Sequence, residues 1–262
     1  MILNFKKLKA GKLMVCLLLA FATQAHAQQT DEQKKTEEQK KAEAWANFQK
    51  MIEERVHKDW PWLKRYEEDN AKLPAPAAGE KRVVFMGNSI TEGWINTDPD
   101  FFKGKPYVNR GIGGQTTPQM LVRFREDVIN LKPKVVVILA GINDIAENTG
   151  PSKIENVAGN IFSMAELAKF AGIKVVLSSV IPAKGFPWHP GLDPREPIMK
   201  LNTMLKEYAA KNHLGYIDYY SAMVGPEKEL RKELCVDGVH PNMAGYKVME
   251  PLAEIEIKKA LK

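Results

Sequence analysis

The stretch KRVVFMGNSITEGW, Lys81 to Trp94, decides how this chain folds. Val83 to Met86 form a short continuous apolar run, which reads as a buried strand. The run ends in Gly87-Asn88-Ser89, and a helical pattern begins directly after it. Ser89 has two readings here. It can cap the helix, as serine commonly does. It can also be a nucleophile held at the end of a strand, where the helix N-terminus favours negative charge. The pattern is not the nucleophile elbow G-x-S-x-G, because Thr91 stands where the last glycine should be.

Downstream the strand–helix alternation repeats. YVNRGI (107–112), VVVILAG (135–141), KVVLSSV (174–180) and GYIDYY (215–220) read as further strands. The β-branched run 135–141 has the character of a central strand covered on both faces. Helical stretches fall at 118–131, 152–171, 196–212 and 242–261. In the second of these, Ile154, Val157, Ile161, Met164, Leu167 and Ala168 share one face. The alternation predicts an α/β fold with a five-stranded parallel sheet and helices on both faces. A site in such a sheet lies at the carboxyl ends of the strands. The first four strands run into polar or glycine-rich segments: Gly87-Asn88-Ser89, Gly111 to Thr116, Gly141 to Asp144, and the long loop IPAKGFPWHPGLDPREP.

Upstream, LPAPAAGE (73–80) reads as a linker, rich in proline and small residues. Trp45, Phe48, Met51, Ile52 and Val56 predict an amphipathic helix before it, and residues 28–43 carry little to bury. The first residues have a different character. Lys6, Lys7, Lys9 and Lys12 precede the apolar run 13–22, and Ala25-His26-Ala27 has the small-x-small form of a cleavage site. This is the pattern of a secretory signal peptide cleaved after Ala27. Its apolar core is about half of the ~20 residues a spanning helix requires. Val15 stands where a small residue would precede a lipid-anchored Cys16. The predicted organisation is a signal peptide (1–27), a helical extension with its linker (28–78) and a catalytic or binding domain (79–262). The expected location is the periplasm or the exterior.

Export changes the charge argument. The whole chain is +6, but residues 1–27 hold four lysines and no acids, leaving 34 basic against 32 acidic side chains, or +2. A near-neutral domain gives no reason to expect nucleic acid or an anionic membrane as partner. Cys235 is the only cysteine after residue 27, so the domain is held by its core and not by an internal disulfide.

Three later segments bear on Ser89. Gly113-Gly114 can cradle a phosphate, or can present a backbone N–H to a developing oxyanion where a side chain would obstruct. Thr116 replaces the third glycine of a dinucleotide fingerprint, and no Gly-Lys-Ser/Thr follows. Asn143 is either a turn residue or a neutral amide donor aimed at the same oxyanion. DGVHP (237–241) places a carboxylate and an imidazole three residues apart. Asp237 can fix the tautomer of His240, or the dipeptide Asp237-Gly238 can simply turn the chain. A metal reading lacks ligands, since His57, His189 and His213 fall at no metal-binding spacing. No metal or cofactor is expected.

With these residues in order, the chain over roughly 80–262 resembles the SGNH hydrolases, also called the GDSL esterase/lipase family. Ser89 in GNSIT, Gly114 in NRGIGGQTT, Asn143 in GIND, and Asp237 with His240 in DGVHP match its four blocks. The resemblance implies a three-layer α/β/α, flavodoxin-like fold and hydrolysis of an ester or thioester. It implies catalytic Ser89, His240 and Asp237, and an oxyanion hole from Ser89, Gly114 and Asn143. Two positions depart from the family. Asn88 replaces the Asp usually found before the serine, and Gln115 replaces the Asp usually found after the glycine. Both keep hydrogen-bonding ability and remove charge.

The long loop after the fourth strand resembles that of exported bacterial acylhydrolases and acetylesterases. Phe186, Trp188, His189 and Arg195 are its candidate substrate-binding residues; packing of the loop is the competing role. The expected function is an exported serine esterase removing small acyl groups, such as acetyl, from carbohydrates. The alternatives are a lysophospholipase or thioesterase of the same family, a non-catalytic glycan-binding protein, and a nucleotide-binding flavodoxin-like protein.

Overall fold

A computed structural model describes residues 59–262 without interruption. Before them it describes Gln39, Lys40, Glu43, Ala46, Asn47, Lys50, Glu53, Glu54, His57 and Lys58, all helical. The expected signal peptide and the expected apolar face Trp45, Phe48, Met51, Ile52 and Val56 lie outside the described residues. The chain divides into two units, Met1–Lys58 and Asp59–Lys262.

The second unit is built on a sheet of five parallel strands: β1 (Val83–Gly87), β2 (Tyr107–Gly111), β3 (Val135–Leu139), β4 (Lys174–Ser178) and β5 (Gly215–Ile217). They lie in the order β2-β1-β3-β4-β5. This is the doubly wound, flavodoxin-like order, whose direction reverses between β1 and β3. Every residue of β1 and β3 is buried, which accounts for their unbroken apolar sequences.

The helices of this unit are α1 (Glu67–Lys72), α2 (Ser89–Thr97), α3 (Thr117–Asp127), α4 (Ile142–Ile145), α5 (Ile154–Phe170), α6 (Arg195–Lys211), α7 (Tyr219–Met223) and α8 (Met243–Ala260). Helices α3, α5 and α6 pack side by side as one layer. Helices α2 and α8 belong to the other. There Trp94 stacks on Phe101 and Tyr246, and Tyr246 Oη donates to the Ile90 carbonyl.

Within this unit the expected strands and helices all form, with ends displaced by a few residues. The fifth strand differs most. GYIDYY does not stay extended to residue 220, because the Asp218 carboxylate accepts from Ser221 N and starts α7 at Tyr219. The helix expected over 118–131 ends at Asp127, and Ile129–Leu131 continue as a 3-10 turn.

The residues before the linker are fastened to the second unit by side-chain hydrogen bonds. Asp59 to Lys72 run as a strap beside β2 and α3. Gln119 Nε2 donates to the Trp60 carbonyl at 2.9 Å, and Gln115 Nε2 to the Pro61 carbonyl at 2.7 Å. Tyr66 is buried, and its hydroxyl donates to the Gly111 carbonyl at 2.5 Å. Asn70 joins Arg110 to Asp127.

Candidate active site

Ser89 is the first residue of α2, and Asn88 is its cap. The Asn88 side-chain oxygen accepts from Ile90 N at 3.0 Å. The cap is therefore supplied by the neighbour, and the Ser89 hydroxyl is left for another partner. That partner is His240, whose Nε2 lies 2.9 Å from Ser89 Oγ. On the other side of the ring, His240 Nδ1 lies 2.8 Å from Asp237 Oδ2. A proton on Nδ1, donated to the carboxylate, leaves Nε2 to accept from the serine hydroxyl.

The loop that carries Asp237 and His240 is closed by local bonds. Cys235 bridges Pro241, and Val236 N donates to the His240 carbonyl at 2.9 Å. Val239 is buried as its anchor. Asn242 caps α8 and donates to the Glu233 and Cys235 carbonyls. Partial burial works to raise the Asp237 pKa, but bonds from the His240 N–H, its ring and Val239 N outweigh it and hold the carboxyl below its ordinary value. The His240–Asp237 pair sits near the surface: about a third of each side chain is exposed, 32% for His240 and 35% for Asp237.

The glycine segment lies against the start of α2. A β-carbon added to Gly113 would come within 3.8 Å of the Ser89 β-carbon. The two glycine N–H groups have different fates. Gly113 N donates to Glu92 Oε2 at 2.7 Å. Gly114, held at φ +74°, has no acceptor for its N–H among the described residues. The Ser89 N–H, in the first turn, has no partner within its helix. The Asn143 amide gives one hydrogen to the Gln115 carbonyl at 2.9 Å, leaving its second. The three donors stand on the segments that follow β1, β2 and β3, at the carboxyl end of the sheet.

Sequence reasoning passed over four residues of this neighbourhood. Glu92 follows Ser89 by one helical turn. Asp144, beside Asn143, accepts from Thr117 N and Oγ1 at the start of α3. Asn148 donates to the Gly114 carbonyl and accepts from Trp188 Nε1, each at 3.1 Å. Arg123, fully buried, donates to the Gly87 and Arg110 carbonyls, to Gln115 Oε1 and to Asp127. Only their proximity to the motifs signalled them in the sequence.

The loop residues separate. The Trp188 ring lies 5.9 Å from the His240 ring and is 44% exposed, forming one wall of the site. Phe186 is buried beneath it. His189 Nδ1 donates to the Ala146 carbonyl at 2.9 Å, fastening the loop to the Asn143 segment. Arg195 is engaged by Asp193 and the Glu227 carbonyl, and none of its polar bonds reaches Ser89 or His240. A cavity of about 780 Å³ adjoins the Asp237 loop, with Lys184, Phe186, Glu229, Lys232 and Val236 among its walls.

The family model for the GDSL-like Lipase/Acylhydrolase family matches residues 85–248. Among solved structures, a Bacteroides fragilis protein assigned to the acylhydrolases is 56% identical, with TM-score 0.77. It is covered completely and covers 78% of this chain. A GDSL-like lipase of Bacteroides thetaiotaomicron is 51% identical, with TM-score 0.76, covering 77% of this chain and 100% of its own. Human platelet-activating factor acetylhydrolase IB subunit alpha2 is 28% identical over 67% of this chain and 76% of its own length. Two other relatives are matched over about half their length. They are the uncharacterised lipoprotein YqeF of Bacillus subtilis, 33% identical over 40% of this chain and 50% of its own, and an acetylxylan esterase of Xylanibacter ruminicola, 25% identical over 75% of this chain and 46% of its own.

Proposed function

The chain belongs to the GDSL-like lipase/acylhydrolase family and is a carboxylic ester hydrolase, and from that premise we propose that it is an exported serine esterase removing acetyl groups from carbohydrates. One observation carries the catalytic reading: the unbroken relay from Ser89 Oγ through the His240 ring to Asp237, with contacts of 2.9 and 2.8 Å.

In the proposed reaction Ser89 Oγ attacks the ester carbonyl while His240 Nε2 takes its proton. Asp237 holds the ring and stabilises the imidazolium. The oxyanion is met by the N–H groups of Ser89 and Gly114 and by the free hydrogen of the Asn143 amide. Collapse breaks the ester C–O bond, and His240 returns the proton to the departing alcohol. Water, activated by the same ring, then releases the acid from Ser89.

The acetyl assignment draws on relatives named for acetyl esters, platelet-activating factor acetylhydrolase and acetylxylan esterase. The exposed Trp188 face supports a sugar ring as the alcohol, because aromatic faces stack on sugars. Residues 1–27 direct export in this reading, 28–78 form the extension and 79–262 the catalytic domain. Among the described residues no helix is long and apolar enough to cross a membrane, and one relative is named a lipoprotein.

Ser89→Ala should abolish hydrolysis of p-nitrophenyl acetate in folded protein; retained activity would sink the catalytic assignment. Acetate release from acetylated xylan, compared with turnover of p-nitrophenyl esters of rising chain length, tests the substrate. A rate that climbs beyond about eight carbons would favour a lysophospholipase or thioesterase.

A further inference from the structure

Gly113 N–H and Ser89 are fastened to the same helical turn. Ser89 opens α2, and Glu92, one turn on, reaches back to bond Gly113 N at 2.7 Å. The next N–H along the chain is that of Gly114. The separation between nucleophile and oxyanion donor is therefore spanned by one rigid helix turn and one hydrogen bond. A misplacement of about 1 Å at such a point can cost on the order of 100-fold in rate.

Holding an oxyanion loop with a carboxylate introduces a negative charge beside a developing negative charge. Arg65, on the strap, answers it: Arg65 Nη2 lies 3.3 Å from Glu92 Oε1. Arg65 and Arg110 also lie over the Tyr66 ring, each 4.6 Å from its centroid, and Tyr66 fixes the Gly111 carbonyl at the head of the same loop. We infer that Glu92 is a positioning residue for the oxyanion hole and that Arg65 neutralises its charge, so that the strap upstream of the family-matched segment tunes catalysis. This rests on the reading of Ser89 as nucleophile.

The Arg65 and Glu92 side chains are 34% and 30% exposed, so replacing either leaves no charge deeply buried. In the full chain with p-nitrophenyl acetate, Glu92→Ala should lower kcat by ~10–100-fold with KM within about twofold, the signature of a lost transition-state interaction. Glu92→Gln, which still offers an acceptor to Gly113 N, should recover most of that rate. Arg65→Met should lower kcat about tenfold, and adding Glu92→Gln to it should restore the rate by removing the unanswered charge. Affinity for phenylboronic acid, which places an oxygen where the oxyanion forms, should fall in step with kcat. A merely structural pair would shift the melting temperature and leave kcat at low temperature unchanged. The inference is overturned if Glu92→Ala keeps its kcat while Ser89→Ala is inactive, or if the double variant is no faster than Arg65→Met. An active Ser89→Ala would instead overturn the catalytic reading itself.

Discussion

At the residue scale, the two family departures resolve differently. Gln115 works with both ends of its amide: Oε1 accepts from Arg123 Nε at 2.5 Å, and Nε2 donates to the Pro61 carbonyl at 2.7 Å. A carboxylate can do only the first. Arg123 already has its charge partner in Asp127, at 2.8 Å. Gln115→Glu should therefore set two acceptors against each other in a buried place, at a cost of about 1–3 kcal/mol. Thermal unfolding should show a melting temperature lower by roughly 3–10 °C; an unchanged value would mean that the Pro61 bond carries nothing. Asn88 is used less fully. Its oxygen caps α2, while its Nδ2 is buried with no hydrogen-bond partner among the described residues. The loop that carries Ser89 is supported by one bond from this side chain, and an aspartate could make the same one.

At the element scale, α2 is seated against β2 by the absence of a side chain. A β-carbon on Gly111 would fall 2.1 Å from Glu92 N and 2.7 Å from Glu92 Cα, both backbone atoms that cannot step aside. Gly111→Ala should push the first turn of α2 away from the sheet and carry Ser89 with it. Overpacking of this kind costs about 1–3 kcal/mol. Hydrolysis should fall at least tenfold, on the order expected for a small displacement of a reacting group. Steady-state kinetics below the melting transition would check it, and full activity would show that α2 is not held by this contact. Arg123 acts on the same joint from below, since it binds the carbonyls at the ends of β1 and β2.

At the scale of the whole molecule, stability depends on pH through a carboxyl at the switch point. Burial raises the Asp144 pKa from 3.8 to about 6, against the bonds from Thr117 that favour its charged form. The folded state thus holds this proton more tightly than the unfolded chain. The resulting stabilisation is complete below pH 3.8 and is lost as pH rises through about 6. Asp237 has the opposite sign: its lowered pKa adds stability above the ordinary carboxylate value, and this is lost in acid. Asp144→Asn isolates the first effect. The stability of the native protein relative to this variant should fall by roughly 2 kcal/mol between pH 4.5 and 7.5. Urea titrations at the two values would measure it, and a constant difference would mean that Asp144 ionises normally.

The sequence by itself determined the order of strands and helices, because apolar periodicity and turn residues are local properties of the chain. It also marked the loops where Ser89, Gly114, Asn143, Asp237 and His240 stand, since each follows or precedes an element that can be read directly. It misjudged Tyr219 and Tyr220, where the Asp218 cap overrode an apolar run. Which groups residues 59–72 would bind was not legible, for their bonds go to Gly111, Gln115, Gln119 and Asp127 across long separations. Only the tertiary structure decided which glycine N–H stays open, since Glu92 takes that of Gly113 from 21 residues away. It alone decided that Ser89 and His240, 151 residues apart, meet at 2.9 Å. Such pairings depend on how the sheet orders its strands, and no window of sequence contains both partners.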